Sequence, residues 1–228
     1  GNTIKNDNFT AIVAVYDGKG WGTNKTGTVI IRNTFPTISN LNLPQNGTNM
    51  TFIPALNWSN VTDLDNDPRN YSIIVDNTEA FTSPEWTNLT IKETANVTTE
   101  VSITGLANGK YYWRVNATDG YEGTAYSSYR YFTIDTTAPT VTSTAINTTA
   151  TNLGNFLCIN ATVTDATLGV NVVWAQVVNA SNQVANVTMT DTGPYCSGIA
   201  GDNIYAAEVQ LTATGNWTVN TTWANDSL

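Results

Sequence analysis

The sequence predicts an all-β protein of tandem β-sandwiches arranged like beads on a string, and two observations support this fold class. Apolar residues recur with a period of two along nearly the whole chain, as at Val101 and Ile103, which is the period of a half-buried strand. Turn-forming pairs such as Asp119-Gly120 separate these runs at the spacing typical of short strands in sandwiches. No segment has the 3.6-residue period of a helix.

The composition excludes several classes of function. The 228 residues contain no histidine, which excludes Ser-His-Asp and Cys-His sites and histidine metal ligands. Nine scattered Lys and Arg against 18 Asp and Glu, a net charge of −9, argue against nucleic acid as a partner. The apolar runs are too short for a membrane span. No two acids pair as a general acid and base, so we expect no catalytic residues and no enzyme activity.

Asparagine and threonine take the place of the missing charges. The chain has 30 Asn, 40 Thr and 11 Ser, and chance placement would make about seven N-x-S/T acceptor sites for N-glycosylation from them. Seventeen are present: Asn8, Asn24, Asn46, Asn49, Asn57, Asn60, Asn70, Asn88, Asn96, Asn116, Asn147, Asn160, Asn179, Asn186, Asn216, Asn220 and Asn225.

The strand phase predicts that these acceptors face solvent. Asn116 alternates with the apolar Val115 and Ala117, and successive side chains of a strand point to opposite faces. Asn216 and Asn220 likewise fall on the phase opposite Val219. Because a bulky glycan is tolerated only at the surface, we predict a densely N-glycosylated extracellular protein of a cell surface. Covalent N-glycans would then supply the hydration that surface charges usually provide.

An internal repeat suggests the domain boundaries. Asp17-Gly18 and Asp119-Gly120 follow apolar runs in the same phase, and a proline, Pro36 or Pro139, closes each segment 19 or 20 residues after its Asp. We interpret both segments as the last hairpin of a sandwich followed by a linker. The expected domains are terminal strands of an incomplete sandwich in residues 1–36, a complete module in 37–136 and a third module in 137–228.

The middle module resembles the fibronectin type III family. Pro54–Trp58 resembles its second strand with the core tryptophan, and Asp63–Pro68 followed by Tyr71–Val75 resembles its next turn and strand. Leu106-x-x-Gly109 resembles the segment before its tyrosine corner, which Tyr111 or Tyr112 would occupy. The resemblance implies a spacer or binding module.

The third module is similar to Ig-like domains of prokaryotic surface proteins. The segments 201–209 and 215–219 carry the similarity, and together with heavy N-glycosylation it points to an archaeon. The module ends one strand short, and residues 225–228 followed by 1–3 resemble the turn before a last strand. Two compatible interpretations remain: an excerpt of a longer protein, or head-to-tail polymerisation in which the N-terminal strand of one subunit completes its neighbour's sandwich.

Two further sets of residues are candidate sites. Cys158 and Cys196, the only cysteines, predict a disulfide from a strand to an overlying loop; the alternative is two free thiols. Asp63, Asp65 and Asp67 form an oxygen-rich turn, a weak calcium candidate without the Gly and Glu of an EF-hand. We favour a solvated bend there and expect no other cofactor or metal.

Two remaining motifs have ordinary structural interpretations. Asp191-Thr192-Gly193 occurs once, whereas an aspartic protease needs two such aspartates, so a turn is favoured. Strand phase assigns four tryptophans to the core: Trp58, Trp113, Trp217 and Trp223. Trp21 and Trp86 are expected in loops, where they would be free to contact a sugar or a partner.

The leading functional hypothesis is a structural glycoprotein, a subunit of a cell-surface filament, sheath or surface layer. It would assemble with copies of itself by strand complementation and contact other surface glycoproteins or glycans. The alternative is an adhesin or a carbohydrate-binding, non-catalytic module of a larger secreted protein.

Overall fold

A computed structural model describes residues 8–121, 126–146, 152–193, 196 and 199–227. Within these residues all regular structure is β-strand, which confirms the predicted all-β fold of tandem sandwiches. The chain divides into two compact units, one made of Gly1–Thr48, Pro54–Leu106 and Lys110–Phe132, and the other of Asn49–Ile53, Ala107–Gly109 and Thr133–Leu228. Among the described residues, no helix is long and apolar enough to cross a bilayer.

The first two strands form an isolated hairpin. Strand β1 (Asn8–Val13) pairs antiparallel with β2 (Lys25–Ile30), and no other described strand joins their sheet. Every residue of both strands is exposed. A two-stranded ribbon without a packed face is at best marginally stable in water. The contacts of this hairpin within the described residues are therefore too few to account for its stability.

The two Asp-Gly turns of the internal repeat have the same backbone geometry. Gly18 and Gly120 both have φ +88°, a left-handed conformation that favours glycine. Asp17 Oδ1 accepts the N–H groups of Lys19 and Gly20. In the second turn, Asp119 Oδ1 accepts the N–H of Tyr121. These hydrogen bonds hold the pKa of Asp17 below its ordinary value.

The middle sandwich contains eight strands in two sheets. Its strands are β3 (Leu41–Leu43), β4 (Thr48–Met50), β5 (Ala55–Ser59), β6 (Asn70–Asp76), β7 (Trp86–Lys92), β8 (Thr98–Ser102), β9 (Gly109–Thr118) and β10 (Arg130–Ile134). The sheets have the orders β3-β5-β8 and β4-β10-β9-β6-β7. Trp58 and Trp113 are fully buried between them, as their strand phases predict.

Of the two tyrosines predicted for the corner position, Tyr111 faces the core and Tyr112 faces the opposite side of the sheet. Tyr111 packs with its ring centroid 6.0 Å from that of the core residue Phe132. Tyr112 instead belongs to a second cluster with Ile74 and Phe81.

The described residues of the third sandwich form six strands, again in two sheets. They are β11 (Thr140–Ile146), β12 (Phe156–Thr164), β13 (Val172–Val178), β14 (Val184–Met189), β15 (Ile204–Gln210) and β16 (Thr218–Asn225). The sheets have the orders β11-β12-β15 and β14-β13-β16. Alternating residues such as Ile159, Val163 and Val177 form the core between them.

The predicted disulfide joins Cys158 to Cys196. Cys158 lies on β12, on the phase opposite the buried Leu157 and Ile159, so the bond lies on the outer face of the sheet as expected. In the chain-entropy model, closing a loop of this length stabilises the fold by about 3–4 kcal/mol.

The core assignment of Trp223 is wrong, and a β-bulge is the reason. Gln176 pairs with Thr221 and the next residue, Val177, pairs with Val219, so Asn220 is an extra residue in β16. A bulge of one residue reverses the phase of everything beyond it. Trp217 and Val219 therefore pack against the core, whereas Trp223 is 43% exposed.

A charged latch fixes one corner of the middle sandwich. The Arg69 side chain donates to both carboxylate oxygens of Glu93, with Nη2–Oε1 at 2.6 Å. The buried hydroxyl of Tyr71 donates to Glu93 Oε2 at 2.6 Å and accepts the N–H of Val61 at 3.0 Å. Burial opposes ionisation of Glu93, but the hydrogen bonds from Arg69 and Tyr71 outweigh it and lower its pKa.

We predict that Glu93→Gln weakens the fold and reduces its acid sensitivity. Since hydrogen bonds to a charged group are worth about 1.5–3 kcal/mol, the free energy of unfolding at neutral pH should fall by about that amount. The folded pKa of Glu93 lies below its ordinary 4.5, so the wild-type contribution is complete above that value and is lost as the pH falls through the folded pKa. Urea unfolding across the acidic range measures both effects.

The matched control is Glu100→Gln, which neutralises an exposed glutamate of β8. It should leave the acid-induced loss of stability unchanged. An equal slope in wild type and Glu93→Gln would contradict the assigned role of the latch.

Candidate functional site

The predicted glycan acceptors are mostly accessible. Nine of the seventeen asparagines are exposed: Asn8, Asn24, Asn46, Asn49, Asn96, Asn186, Asn216, Asn220 and Asn225. Six more are half-buried: Asn57, Asn60, Asn70, Asn88, Asn116 and Asn160. Asn147 lies outside the described residues. Fifteen of the seventeen acceptors are therefore at least partly exposed.

Asn179 is the exception, because its side chain is 5% exposed. Its Oδ1 accepts the N–H groups of Ser181 and Gln183, and its Nδ2 donates to Gln183 Oε1 at 2.9 Å. This asparagine closes the turn between β13 and β14. The expectation that every acceptor faces solvent is wrong here, since side-chain to backbone bonding in a tight turn draws asparagine inward.

The hairpin has one mainly apolar face and one face on which polar and apolar side chains are mixed. Phe9, Ala11 and Val13 project to one side of β1, with Val29 opposite Phe9 on the partner strand. The glycan acceptor Asn8 projects to the other side with Thr10 and Thr28, and this side also carries Ile12 and Ile30, which are 63% and 57% exposed. Phe9, Val13 and Val29 are 42%, 61% and 57% exposed, so the apolar face is without cover from the described residues.

Strand β16 lies at the edge of its sheet. It is hydrogen-bonded to β13 on one side, and no described strand pairs with its other side. Strand β11 contacts it from the facing sheet, and there the Thr144 and Thr222 hydroxyls are hydrogen-bonded at 3.1 Å. An edge of this kind presents main-chain N–H and C=O groups to any strand that can pair with them.

The sheet of the middle sandwich that contains β6 can be compared with the sheet of the third sandwich that ends at β16. Both β6 and β13 are flanked by two strands, β7 and β9 in one case and β14 and β16 in the other. In the middle sandwich β9 pairs further with β10, and β10 with β4, which makes a sheet of five. The described part of the third sandwich has three strands in the corresponding sheet.

The two suspected tryptophans differ in their environment. Trp21 is 73% exposed and lies beside Tyr16, with ring centroids 5.0 Å apart. Trp86 was expected in a loop, but it is the first residue of β7 and is half-buried. Of the two, Trp21 alone offers a broad aromatic surface.

An aromatic patch on the outer face of the middle sandwich was not predicted. Lys110 Nζ lies 4.0 Å from the ring centroid of Tyr131, and the Arg114 guanidinium lies 4.1 Å from that of Phe81. Cations on ring faces are favourable, but they occupy the faces on which a sugar would stack. The sequence offered one signal for this patch: Tyr112 and Arg114 are two residues apart on the outward phase of β9.

The acidic turn brings its three carboxylates together. One oxygen each from Asp63, Asp65 and Asp67 lies within 4.8 Å of the others. Asp63 Oδ1 accepts the N–H of Asp65 at 2.8 Å, and Asp65 Oδ2 accepts the N–H and hydroxyl of Thr34 at 2.7 Å. These contacts tie the turn to neighbouring backbone and to Thr34; both the solvated bend and the calcium assignment there stay predictions.

Asp191 of the Asp-Thr-Gly motif is also engaged by the backbone. Its Oδ1 accepts the N–H of Gly201 at 2.8 Å and its Oδ2 that of Asn203 at 3.0 Å. Such a carboxylate organises a turn, as the sequence favours. Pro194 and Tyr195, which follow the motif, lie outside the described residues.

Comparison with known proteins adds little to these strand orders. No family model matches the sequence, and no curated protein matches it. Among solved structures, the chain is similar to the FN1–FN3 domains of chicken CNTN1, with a TM-score of 0.37 and 11% identity over 91% of this chain and 67% of that one. It is also similar to fibronectin(III)-like modules of CbhA from Clostridium thermocellum, with a TM-score of 0.31 and 17% identity over 83% and 86% of the two chains.

Proposed function

We propose that the protein is a structural, N-glycosylated subunit of an extracellular filament, sheath or surface layer, and that it assembles head to tail with copies of itself. In this assembly the β1–β2 hairpin of one copy pairs with the free edge of β16 in the next copy. The observation that carries the proposal is the isolated hairpin, whose two strands are exposed along their whole length.

The chemistry of the hairpin supports a docked state. Burying the apolar face that Phe9, Val13 and Val29 form would recover hydrophobic free energy of about 25 cal/mol for each Å² removed from water. The acceptor Asn8 lies on the opposite face and would remain in solvent. An exposed hairpin with these properties suits a strand donor whose outer side carries a glycan.

The acceptor edge supports the same arrangement. Main-chain hydrogen bonds between a donor strand and an exposed edge supply affinity, and alternate side chains supply specificity. Adding β1 and β2 beside β16 would turn a sheet of three described strands into a sheet of five. The corresponding sheet of the middle sandwich already has five, so the proposed assembly repeats an arrangement that this chain itself uses.

Glycosylation and the disulfide fit a cell-surface setting. Disulfides persist in oxidising, extracellular surroundings, and the Cys158–Cys196 bond is intramolecular. The exposed N-x-S/T sites would carry glycans that hydrate a surface poor in charge. The domain style and dense N-glycosylation together favour an archaeal cell surface.

Glycan occupancy tests whether the acceptor sites lie on the surface of the natural protein. Peptide mapping of the natural protein by mass spectrometry should find glycans at the nine exposed acceptors and an unmodified Asn179, because its Nδ2 is buried in a turn. Asn186, an exposed acceptor on the adjacent strand β14, is the internal control. Unmodified peptides throughout, or a modified Asn179 beside an unmodified Asn186, would contradict the surface assignment.

Substitutions on the two faces of the hairpin test the proposed assembly. Phe9→Asp places a charge on the apolar face of the hairpin and should abolish polymers, which sedimentation and electron microscopy detect. Thr28→Asp places the same charge on the opposite face and creates no change in the acceptor sites, so it should leave polymers intact. Polymers that survive Phe9→Asp, or a wild-type protein that stays monomeric at high concentration, would contradict the proposed docking.

A second candidate function is carbohydrate binding, which the exposure of Trp21 favours. An exposed tryptophan can stack on a sugar ring, as aromatic residues at binding surfaces do. Trp21→Ala should then abolish binding on a glycan array, whereas Trp86→Ala, at the half-buried start of β7, should retain it. An array without any bound glycan would remove this candidate and leave the structural role.

A further inference from the structure

Three aspartates meet at the ends of three strands in the second compact unit. Asp135 directly follows β10, Asp165 follows β12 and Asp226 follows β16. One carboxylate oxygen of each lies within 4.8 Å of the other two. The sequence separates these residues widely, and the fold alone brings them together.

Asp135 is the distinctive member, since its side chain is fully buried. Its Oδ1 accepts the N–H and the hydroxyl of Thr137, at 3.1 and 3.0 Å, and the Nδ2 of Asn108 at 3.1 Å. Its Oδ2 is also buried and accepts no hydrogen bond. A buried carboxylate oxygen without a partner is rare, because burial without compensation is costly.

The other two aspartates are constrained in different ways, one by hydrogen bonds and one by burial. Asp165 Oδ1 accepts the N–H groups of Thr167, Leu168 and Gly169 at 2.9–3.0 Å, which wraps the following loop around it. Asp226 is 8% exposed. Hydrogen bonds thus hold the Asp135 and Asp165 carboxylates in place, and all three acidic groups lie at a distance where their negative charges repel one another.

We propose that Asp135, Asp165 and Asp226 form a binding site for a calcium ion. Carboxylate oxygens are the ligands that hard divalent cations prefer. Calcium takes its oxygens at about 2.3–2.6 Å, so oxygens on opposite sides of one ion stand up to about 5 Å apart, which accommodates the observed spacing. Magnesium requires shorter distances and keeps several waters, which suits a cluster of buried carboxylates less well.

Bound calcium would neutralise the mutual repulsion and give Asp135 Oδ2 the partner that it lacks. It would also join the ends of β10, β12 and β16 through one ion. Because docking is proposed at the edge of β16, the ion would fix the end of the strand that receives the neighbouring copy. The site itself stands on the aspartates and does not depend on that docking.

The test is calcium titration of the full chain by calorimetry, with thermal unfolding in calcium and in chelator. One calcium ion should bind per chain and raise the Tm. Asp135→Asn keeps the Oδ1 acceptor and removes the charge, and Asp226→Asn provides a second variant; each should weaken binding at least tenfold and abolish the shift in Tm. Asp135→Asn creates an Asn-Thr-Thr acceptor, so all chains are made in a host without N-glycosylation.

Asp65→Asn, in the exposed acidic turn, is the matched control and should bind calcium as the wild type does. Far-ultraviolet circular dichroism establishes that each variant retains its β-structure, and a folded Asp226→Asn suffices if Asp135→Asn does not fold. The proposal is overturned by no binding at millimolar calcium, by wild-type affinity in the folded Asp135 or Asp226 variants, by loss of binding in Asp65→Asn alone, or by equal affinity for magnesium.

Discussion

Main-chain hydrogen bonding at sheet edges is the constraint on which the rest of this structure depends. A β-sandwich buries its apolar side chains between two sheets, but each outermost strand keeps a row of N–H and C=O groups that need a partner. The middle sandwich extends its larger sheet to five strands. Within the described residues the sheet that ends at β16 has three strands and the hairpin sheet has two, and the functional proposal follows from that difference.

The surface chemistry is consistent with such open edges. Exposed edges and apolar faces invite uncontrolled association, which proteins usually limit with charged side chains. Charged residues make up 12% of this chain, about half of the usual 25%. Glycans on the outer faces would restrict association to the surfaces left bare, because a bulky oligosaccharide blocks close packing wherever it is attached. The apolar face of the hairpin is one such bare surface.

The period-two pattern predicted the parts of the fold that depend on local phase. Trp58, Trp113 and Cys158 face the directions that alternation assigns to them. Prediction failed where a local irregularity overrides the alternation: the extra residue Asn220 turned Trp223 outward, and turn hydrogen bonds drew Asn179 inward.

The acidic cluster could not be predicted by the same means. Its members share one weak signal, an aspartate directly after an alternating run, but their meeting depends on how three strand ends come together in space. Sequence proximity favoured Asp63, Asp65 and Asp67 instead, which are adjacent in a turn. There Asp63 accepts the N–H of Asp65 within the turn, and Asp65 accepts the N–H of Thr34 from a distant part of the chain.

The pairing partner of β16 in the assembled protein tests the central claim most directly. Electron cryomicroscopy of the natural assemblies, at a resolution that traces the main chain, identifies the strand beside β16. The account predicts β1 of the neighbouring copy in that position, with Phe9 and Val13 turned toward the sandwich core and Asn8 toward solvent. A β16 edge that faces solvent within an ordered assembly, or that pairs with a segment other than the hairpin, would contradict it.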